Sequence, residues 1–342
     1  MQTPGHFSSA HLRLLQGVSR SFYLSIRLLP APLRGPISVG YLLARATDTV
    51  ADTTTLPQTD RLQLLKALMT AIDSPDGDLQ GSQNALTAFA ERQTDPHERA
   101  LMKALPACLP LLQALPPDDQ ASVRWVLGHI TRGQVLDVER FGQGPAALAT
   151  EAELDEYTWL VAGCVGEFWT ELCARHLPDF ATQSADAMRL AGRAYGMGLQ
   201  RLNILRDAGA DLAAGRCYLP EAHLAALGLS PDRLMQAARS GDATTLLQLA
   251  PLWDEYLLHT QNQLSEGVFY SQCLTQRRLR LASALPALIG ARTVALLRQA
   301  GPQALTQRVK MPRHEVRALI WRLLWRLASK DALAREFQRL SQ

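Results

Sequence analysis

Cysteine is scarce in this chain: five residues in 342 (Cys108, Cys164, Cys173, Cys217 and Cys273), odd in number, far apart and never as Cys-x-x-Cys. That pattern excludes a disulfide framework and a thiolate zinc site and fits a reducing, cytoplasmic setting. A charge excess of one sign is also missing, with 35 Lys+Arg against 32 Asp+Glu. At 47% hydrophobic and 20% charged residues the chain is too apolar and too evenly charged to be disordered. Glycine (22) and proline (19) are too few for a collagen-like or low-complexity protein. No long apolar run stands out: residues 281–297 are interrupted by Pro286, Gly290 and Arg292, short of the roughly 20 apolar residues of a spanning helix. Residues 1–17 lack the apolar core of a signal peptide. No secretion signal or transmembrane helix is expected, and nothing in the composition calls for a nucleic-acid or obligate protein partner.

Several catalytic devices are absent too. Gly196-Met-Gly198 falls inside a helical pattern and lacks the third glycine of a dinucleotide fingerprint. Gly17-Val-Ser19-Arg-Ser21 is not a nucleophile elbow, and the eight histidines show no His-x-x-x-His spacing.

What the chain has is helical periodicity. Leu, Ala and Val recur at i, i+3, i+4, i+7 over 61–72, 122–141, 155–173, 185–205 and 316–340, and alternating strand-like runs are rare. Breaks are expected at residues 30–35, 57, 74–81, 116–117, 142–145, 178, 215–220, 230–231 and 301–302. None is long enough for a linker. The expectation is an all-α protein, a single domain over 1–342, with a surface loop at 73–84.

Two acidic constellations carry the chemistry. In Tyr41-Leu-Leu-Ala-Arg45-Ala-Thr-Asp48-Thr-Val-Ala-Asp52, the two carboxylates lie one helical turn apart, with Arg45 one turn earlier on that face. In Gln200-Arg-Leu-Asn203-Ile-Leu-Arg206-Asp207-Ala-Gly-Ala-Asp211, Asn203, Asp207 and Asp211 form a second stripe. Spacing alone is compatible with solvated surface acids. The apolar neighbours Val39, Leu42, Leu43 and Val50, and Leu199, Leu202, Ile204 and Leu205, mark both helices as buried. Buried acids need a partner. Mg²⁺ prefers oxygen ligands and is usually held by one or two carboxylates plus substrate phosphates, which points to a phosphorylated substrate.

Ser19-Arg20-Ser21-Phe22, the Tyr41–Asp52 motif, and Asn203-Ile-Leu-Arg206-Asp207…Asp211…Gly215-Arg216-Cys-Tyr218-Leu-Pro220 resemble, in this order, the squalene and phytoene synthases. The resemblance covers about residues 10–320. Tyr157-Thr-Trp-Leu-Val161-Ala-Gly163-Cys-Val165-Gly and Val309-Lys310-Met-Pro-Arg313 look more like squalene synthases than phytoene synthases. Pro312 stands where those enzymes carry a basic residue, and no Gly follows at Glu315.

The resemblance implies an all-α isoprenoid-synthase fold around a deep central cavity, with the two acidic motifs binding Mg²⁺ and diphosphate on opposite walls. It implies Mg²⁺-dependent head-to-head condensation of two farnesyl diphosphates to presqualene diphosphate, then NADPH-dependent reduction to squalene. Asp48, Asp52, Asp207 and Asp211, with Asn203, are the implied metal ligands; Arg45, Arg206 and Arg216 are the implied diphosphate forks. Tyr157 is the implied base, against the alternative of a core tyrosine. Arg20, Ser21, Phe22, Tyr41, Val161, Val165, Gln200 and Tyr218 are implied to line the substrate site. For Phe22 and Tyr41 plain helix packing is the alternative. Lys310 and Arg313 are implied to hold the nicotinamide cofactor. Presqualene diphosphate, hydroxysqualene, dehydrosqualene and phytoene are the other products open to the family. A helical scaffold without activity is the alternative of a different class.

The balanced charge conceals an asymmetry. Residues 274–342 hold 14 Lys+Arg and 3 Asp+Glu, net +11, which leaves 21 and 29, net −8, for residues 1–273. A basic amphipathic helix is expected at 315–340, with Arg322, Arg326 and Lys330 beside Trp321 and Trp325. It reads either as a closing helix packed on the body or as a peripheral contact with the inner membrane face.

Overall fold

The computed structural model describes residues 9–19, 22–74, 83–325 and 329–342, and the all-α expectation holds over them. In chain order the helices are α1 (Ser9–Ser19), α2 (Phe22–Leu28), α3 (Ala31–Asp52), α4 (Gln58–Asp73), α5 (Gln83–Arg92), α6 (Pro96–Gln113), α7 (Pro117–Phe141), α8 (Glu151–Thr158), α9 (Cys164–His176) and α10 (Ala185–Ala213). They continue as α11 (Glu221–Ala226), α12 (Pro231–Ser240), α13 (Ala243–Gln248), α14 (Ala250–Cys273), α15 (Arg277–Ala300), α16 (Arg313–Trp325) and α17 (Lys330–Leu340). A π-helical turn, Trp159–Gly163, joins α8 to α9. Strands β1 (Ala146–Ala147) and β2 (Arg216–Cys217) pair in parallel.

Local chemistry sets the boundaries. Asp95, Thr150, Ser184, Ser230, Asp242 and Ser329 each cap the helix that follows by accepting a backbone N–H, which satisfies donors the first turn leaves unpaired. The break expected at 30–35 narrows to Pro30, because α3 starts at Ala31 and continues through Gly35 and Pro36. Most of the loop expected at 73–84 lies outside the described residues.

The chain divides into two compact units, Met1–Gly142 with Glu171–Pro178, and Gln143–Thr170 with Asp179–Gln342. Helical periodicity, which reports one element at a time, gives no sign of this division. In the first unit α3 packs on α6 and α7 through Leu33, Ile37, Leu42, Leu43, Ala46 and Val50. Buried Asp119 fixes the 171–178 segment there: Arg175 Nη1 donates to its Oδ1 at 2.9 Å and His176 Nε2 sits 2.8 Å from the same atom.

In the second unit α10 is the spine, packed on α14, α15 and the π-turn. Glycines make this packing close. A Cβ on Gly166 would lie 1.9 Å from the Gly192 carbonyl oxygen, and one on Gly196 would lie 2.2 Å from that of Ala162. Helix α15 runs unbroken through Pro286. The stretch Arg277–Leu305 is long and apolar enough to cross a membrane by length and composition, but 72% of its apolar 18-residue window is buried inside the protein, as a core helix would be.

The single helix expected at 315–340 is two helices, α16 and α17, with Ser329 capping the second. Arg326 lies outside the described residues, as does the side chain of Lys330.

Glycine substitutions separate packing from propensity. Gly166→Ala or Gly196→Ala forces helices apart and is expected to cost about 1–3 kcal/mol. Gly128→Ala in α7, where nothing stands within 4 Å of the added carbon, is expected to stabilise by about 0.5–1 kcal/mol. Thermal unfolding of the three variants reads both signs.

Candidate active site

Tyr41, Arg45, Asp48 and Asp52 project from one face of α3, as their spacing requires. Arg45 Nη1 donates to Asp48, and its Nη2 donates to Glu98 of α6. The Asp48 side chain is 38% exposed, so its carboxylate is only partly withdrawn from water. Burial and the nearby Asp52 carboxylate push Asp48 up to about 7, against the opposing pull of Arg45. The Tyr41 hydroxyl donates to the Val18 carbonyl at 3.2 Å, and burial holds its pKa above the ordinary value.

Glu98 escapes a reading of the sequence for a specific reason. Asp95-Pro-His-Glu98 is spelled like a capping box, and Asp95 does cap, accepting from the amides of His97 and Glu98 at 2.7 and 3.3 Å. The Glu98 carboxylate, however, takes up Arg45. Asp48 and Glu98 thus share one guanidinium, and the Asp52 carboxylate lies close enough to Asp48 to raise its pKa. Carboxylate oxygens grouped in this way are the donors a hard divalent cation prefers.

The second unit carries the other stripe. On α10 the Asn203 amide donates to Gln200 at 3.4 Å. Arg206 grips Asp207 through Nε and Nη2, at 3.1 and 2.5 Å. Arg216 places Nε and Nη2 on Asp211 Oδ1, at 3.1 and 2.6 Å. The three guanidiniums expected to fork phosphate are therefore engaged with the acids themselves. Among the described residues, no group of three or more Asp, Glu, His or Cys side chains forms a ready-made metal site. A cation here needs further oxygen ligands, such as diphosphate supplies.

Backbone geometry accounts for the Gly-Arg-Cys-Tyr motif. Gly215 adopts a φ of 83°, a conformation that favours glycine, and the chain then enters β2, held to β1 by the pairing of Ala146 with Arg216 and Ala147 with Cys217. This clip fixes Arg216 and the buried Tyr218, whose ring stacks on Tyr157 with centroids 5.2 Å apart. Val161 sits in the π-turn and Val165 one turn on, both half-buried.

Arg201 is a second residue that motif reading passes over. It is 2% exposed, and its Nη2 donates to Glu151 Oε1 and Asp155 Oδ1 at 2.5 and 2.6 Å. Tyr256 donates to Glu151 at 2.9 Å. This network ties α8, the carrier of Tyr157, to the helix of the second stripe. An arginine at an apolar helix position was the available signal.

Lys310 and Arg313 are exposed and make no hydrogen bond or ion pair among the described residues. Arg20 and Ser21 lie outside the described residues, as does the side chain of Phe22.

The chain is similar to known proteins in both sequence and fold. A family model described as squalene/phytoene synthase matches residues 15–315. A squalene synthase of Cyberlindnera jadinii is 24% identical over 90% of this chain and 65% of its own length. A bifunctional lycopene cyclase/phytoene synthase of Colletotrichum graminicola is 28% identical over 65% of this chain and 36% of its own length. The chain thus spans less than two thirds of either relative. Among solved structures, TcSQS in complex with a ligand superposes with a TM-score of 0.77 at 19% identity, covering 96% of this chain and 89% of that one. Squalene synthase HpnC from Alicyclobacillus acidocaldarius gives 0.58 at 22% identity, covering 85% and 92%. These superpositions make the fold that of the isoprenoid synthases, and with the family model spanning most of its length the chain belongs to the squalene/phytoene synthase family.

Proposed function

We propose that this chain is a squalene synthase that joins two farnesyl diphosphates head to head and reduces the product with NADPH. One observation carries the reading: each unit presents partly buried aspartates on a single helix face, each face with an arginine bonded to its acids. A helical scaffold has no use for such a costly arrangement.

In the first unit Asp48 and Asp52 would hold Mg²⁺; in the second, Asp207, Asp211 and Asn203 would do so. The metal supplies charge neutralisation for a departing diphosphate. Arg45, Arg206 and Arg216 already stand beside these acids. Each can turn its planar fork to phosphate oxygens once a cation shares the carboxylate charge. Loss of diphosphate from one substrate leaves an allylic cation. The alkene of the second attacks it, and a proton is lost as the cyclopropane closes. Tyr157 takes that proton, its ring held by the stack on Tyr218. Val161 and Val165 provide apolar wall that keeps water from the cation. Lys310 and Arg313 would hold the phosphates of NADPH, the source of the hydride for the final cation.

Product analysis with radiolabelled prenyl diphosphates and Mg²⁺ tests the reading. Squalene formed only when NADPH is present is the expected result. Phytoene from the C20 substrate overturns it, and presqualene diphosphate, hydroxysqualene or dehydrosqualene as the end product confines the chain to the earlier chemistry. Asp48→Asn and Asp207→Asn are each expected to lower diphosphate release by at least about 100-fold, and a variant that keeps most of the activity removes the metal assignment.

The raised pKa of Asp48 has a consequence in pH. A proton and the cation compete for this carboxylate, so below about 7 the half-saturating Mg²⁺ concentration is expected to rise up to about tenfold per pH unit. Above that value it levels off. Activity titrated with Mg²⁺ on both sides of neutrality reads the slope.

A further inference from the structure

Helix α16 buries one face and leaves the other open. Leu319 and Leu323 are 0% and 3% exposed, and Arg292 of α15 donates to Glu315 at 2.9 Å, which seats the helix on the second unit. The outer face carries Arg313, Arg317, Trp321 and Trp325 at intervals of four residues, all exposed. Trp321 and Trp325 are 63% and 75% exposed, and their rings stack with centroids 6.3 Å apart. No other large hydrophobic side chain among the described residues exceeds either of them. Arg308, Lys310, Arg313 and Arg317, on this helix and just before it, make no ion pair or hydrogen bond among the described residues.

Helix α17 differs. Leu333, Phe337 and Leu340 are buried, the helix packs on α14 and α15, and Glu336 binds both Arg322 and Arg339. The last helix is the packed closing element, and the open face belongs to the helix before it.

We propose that the outer face of α16 docks on an anionic lipid bilayer. Indole rings combine an apolar body with an N–H donor and settle at the headgroup boundary. Arg308 and Arg317, the unpaired cations not assigned to the cofactor, complement anionic headgroups, each adding about fivefold to binding at the surface. The net +11 of residues 274–342 has the matching sign. A convex helix face bearing two stacked rings needs no shaped partner, and a bilayer accepts it by yielding around the rings. This proposal does not rest on the product assigned above, and either can fail alone.

The full chain is sedimented with vesicles of phosphatidylglycerol and phosphatidylcholine, and with phosphatidylcholine alone. Binding to the anionic vesicles, weakened by added salt, is expected. Trp321→Ala with Trp325→Ala is expected to lower the partition coefficient at least about tenfold, and Arg317→Glu at least about fivefold. Because all three side chains are exposed, circular dichroism and the unfolding temperature should be unchanged. Lipids brominated in their acyl chains should quench the emission of the unaltered chain more than that of the double tryptophan variant, a readout separate from sedimentation. Equal vesicle binding by all three proteins, or none by the unaltered chain, overturns the proposal. So does a variant that loses self-association while its vesicle binding stays the same, since the face would then serve a second copy of the chain.

Discussion

A carboxylate withdrawn from water must find a counter-charge, keep its proton, or bear the cost of desolvation. The acids of this chain find the first, and Asp48 is shifted toward the second. Asp207 and Asp211 are each held by one guanidinium. Asp48 also has a guanidinium, shared with Glu98, but burial first and the nearby Asp52 carboxylate second push its pKa up to about 7. The two stripes therefore differ in poise. In the second, each acid is tied to its own arginine, whereas in the first Asp48 shares its arginine with Glu98 and lies near a further carboxylate.

The fold serves these faces by making helices rigid and closely packed. Gly166 and Gly192, and Gly196 with Ala162, let the π-turn and α9 approach α10 more closely than any side chain would allow. Arg201 then ties α8 to α10 through Glu151 and Asp155. The helix carrying Tyr157 is thus fixed to the helix carrying Asp207, and the β1–β2 clip adds Tyr218 against the Tyr157 ring. Little of this precision comes from helix propensity, because glycine in a helix interior costs about 1 kcal/mol. It comes from packing.

Much of the architecture is legible in the sequence because helical periodicity is local. The stripes on α3 and α10 follow from spacing of i, i+3 or i+4, and the boundaries at Pro117, Ser230 and Gly301 from punctuation. What spacing does not carry is partnership. Arg45, Arg206 and Arg216 look like free phosphate forks until the structure shows them on their acids. Glu98 looks like a cap until its carboxylate is seen to reach Arg45. The 315–340 periodicity looks like one helix, because the apolar rhythm runs on past Ser329, whose side chain starts a second helix. The division into two units is invisible for the same reason: it depends on contacts between residues distant in sequence.

Cation binding at the first acidic face should displace a proton, which the raised pKa of Asp48 favours in the free chain below neutral pH. Calorimetric titration of Mg²⁺ with inorganic diphosphate, in buffers of different ionisation enthalpy slightly below neutral pH, counts the protons released. The unaltered chain should release more than Asp48→Asn, by a sizeable fraction of one proton. Equal release by the two proteins would contradict it.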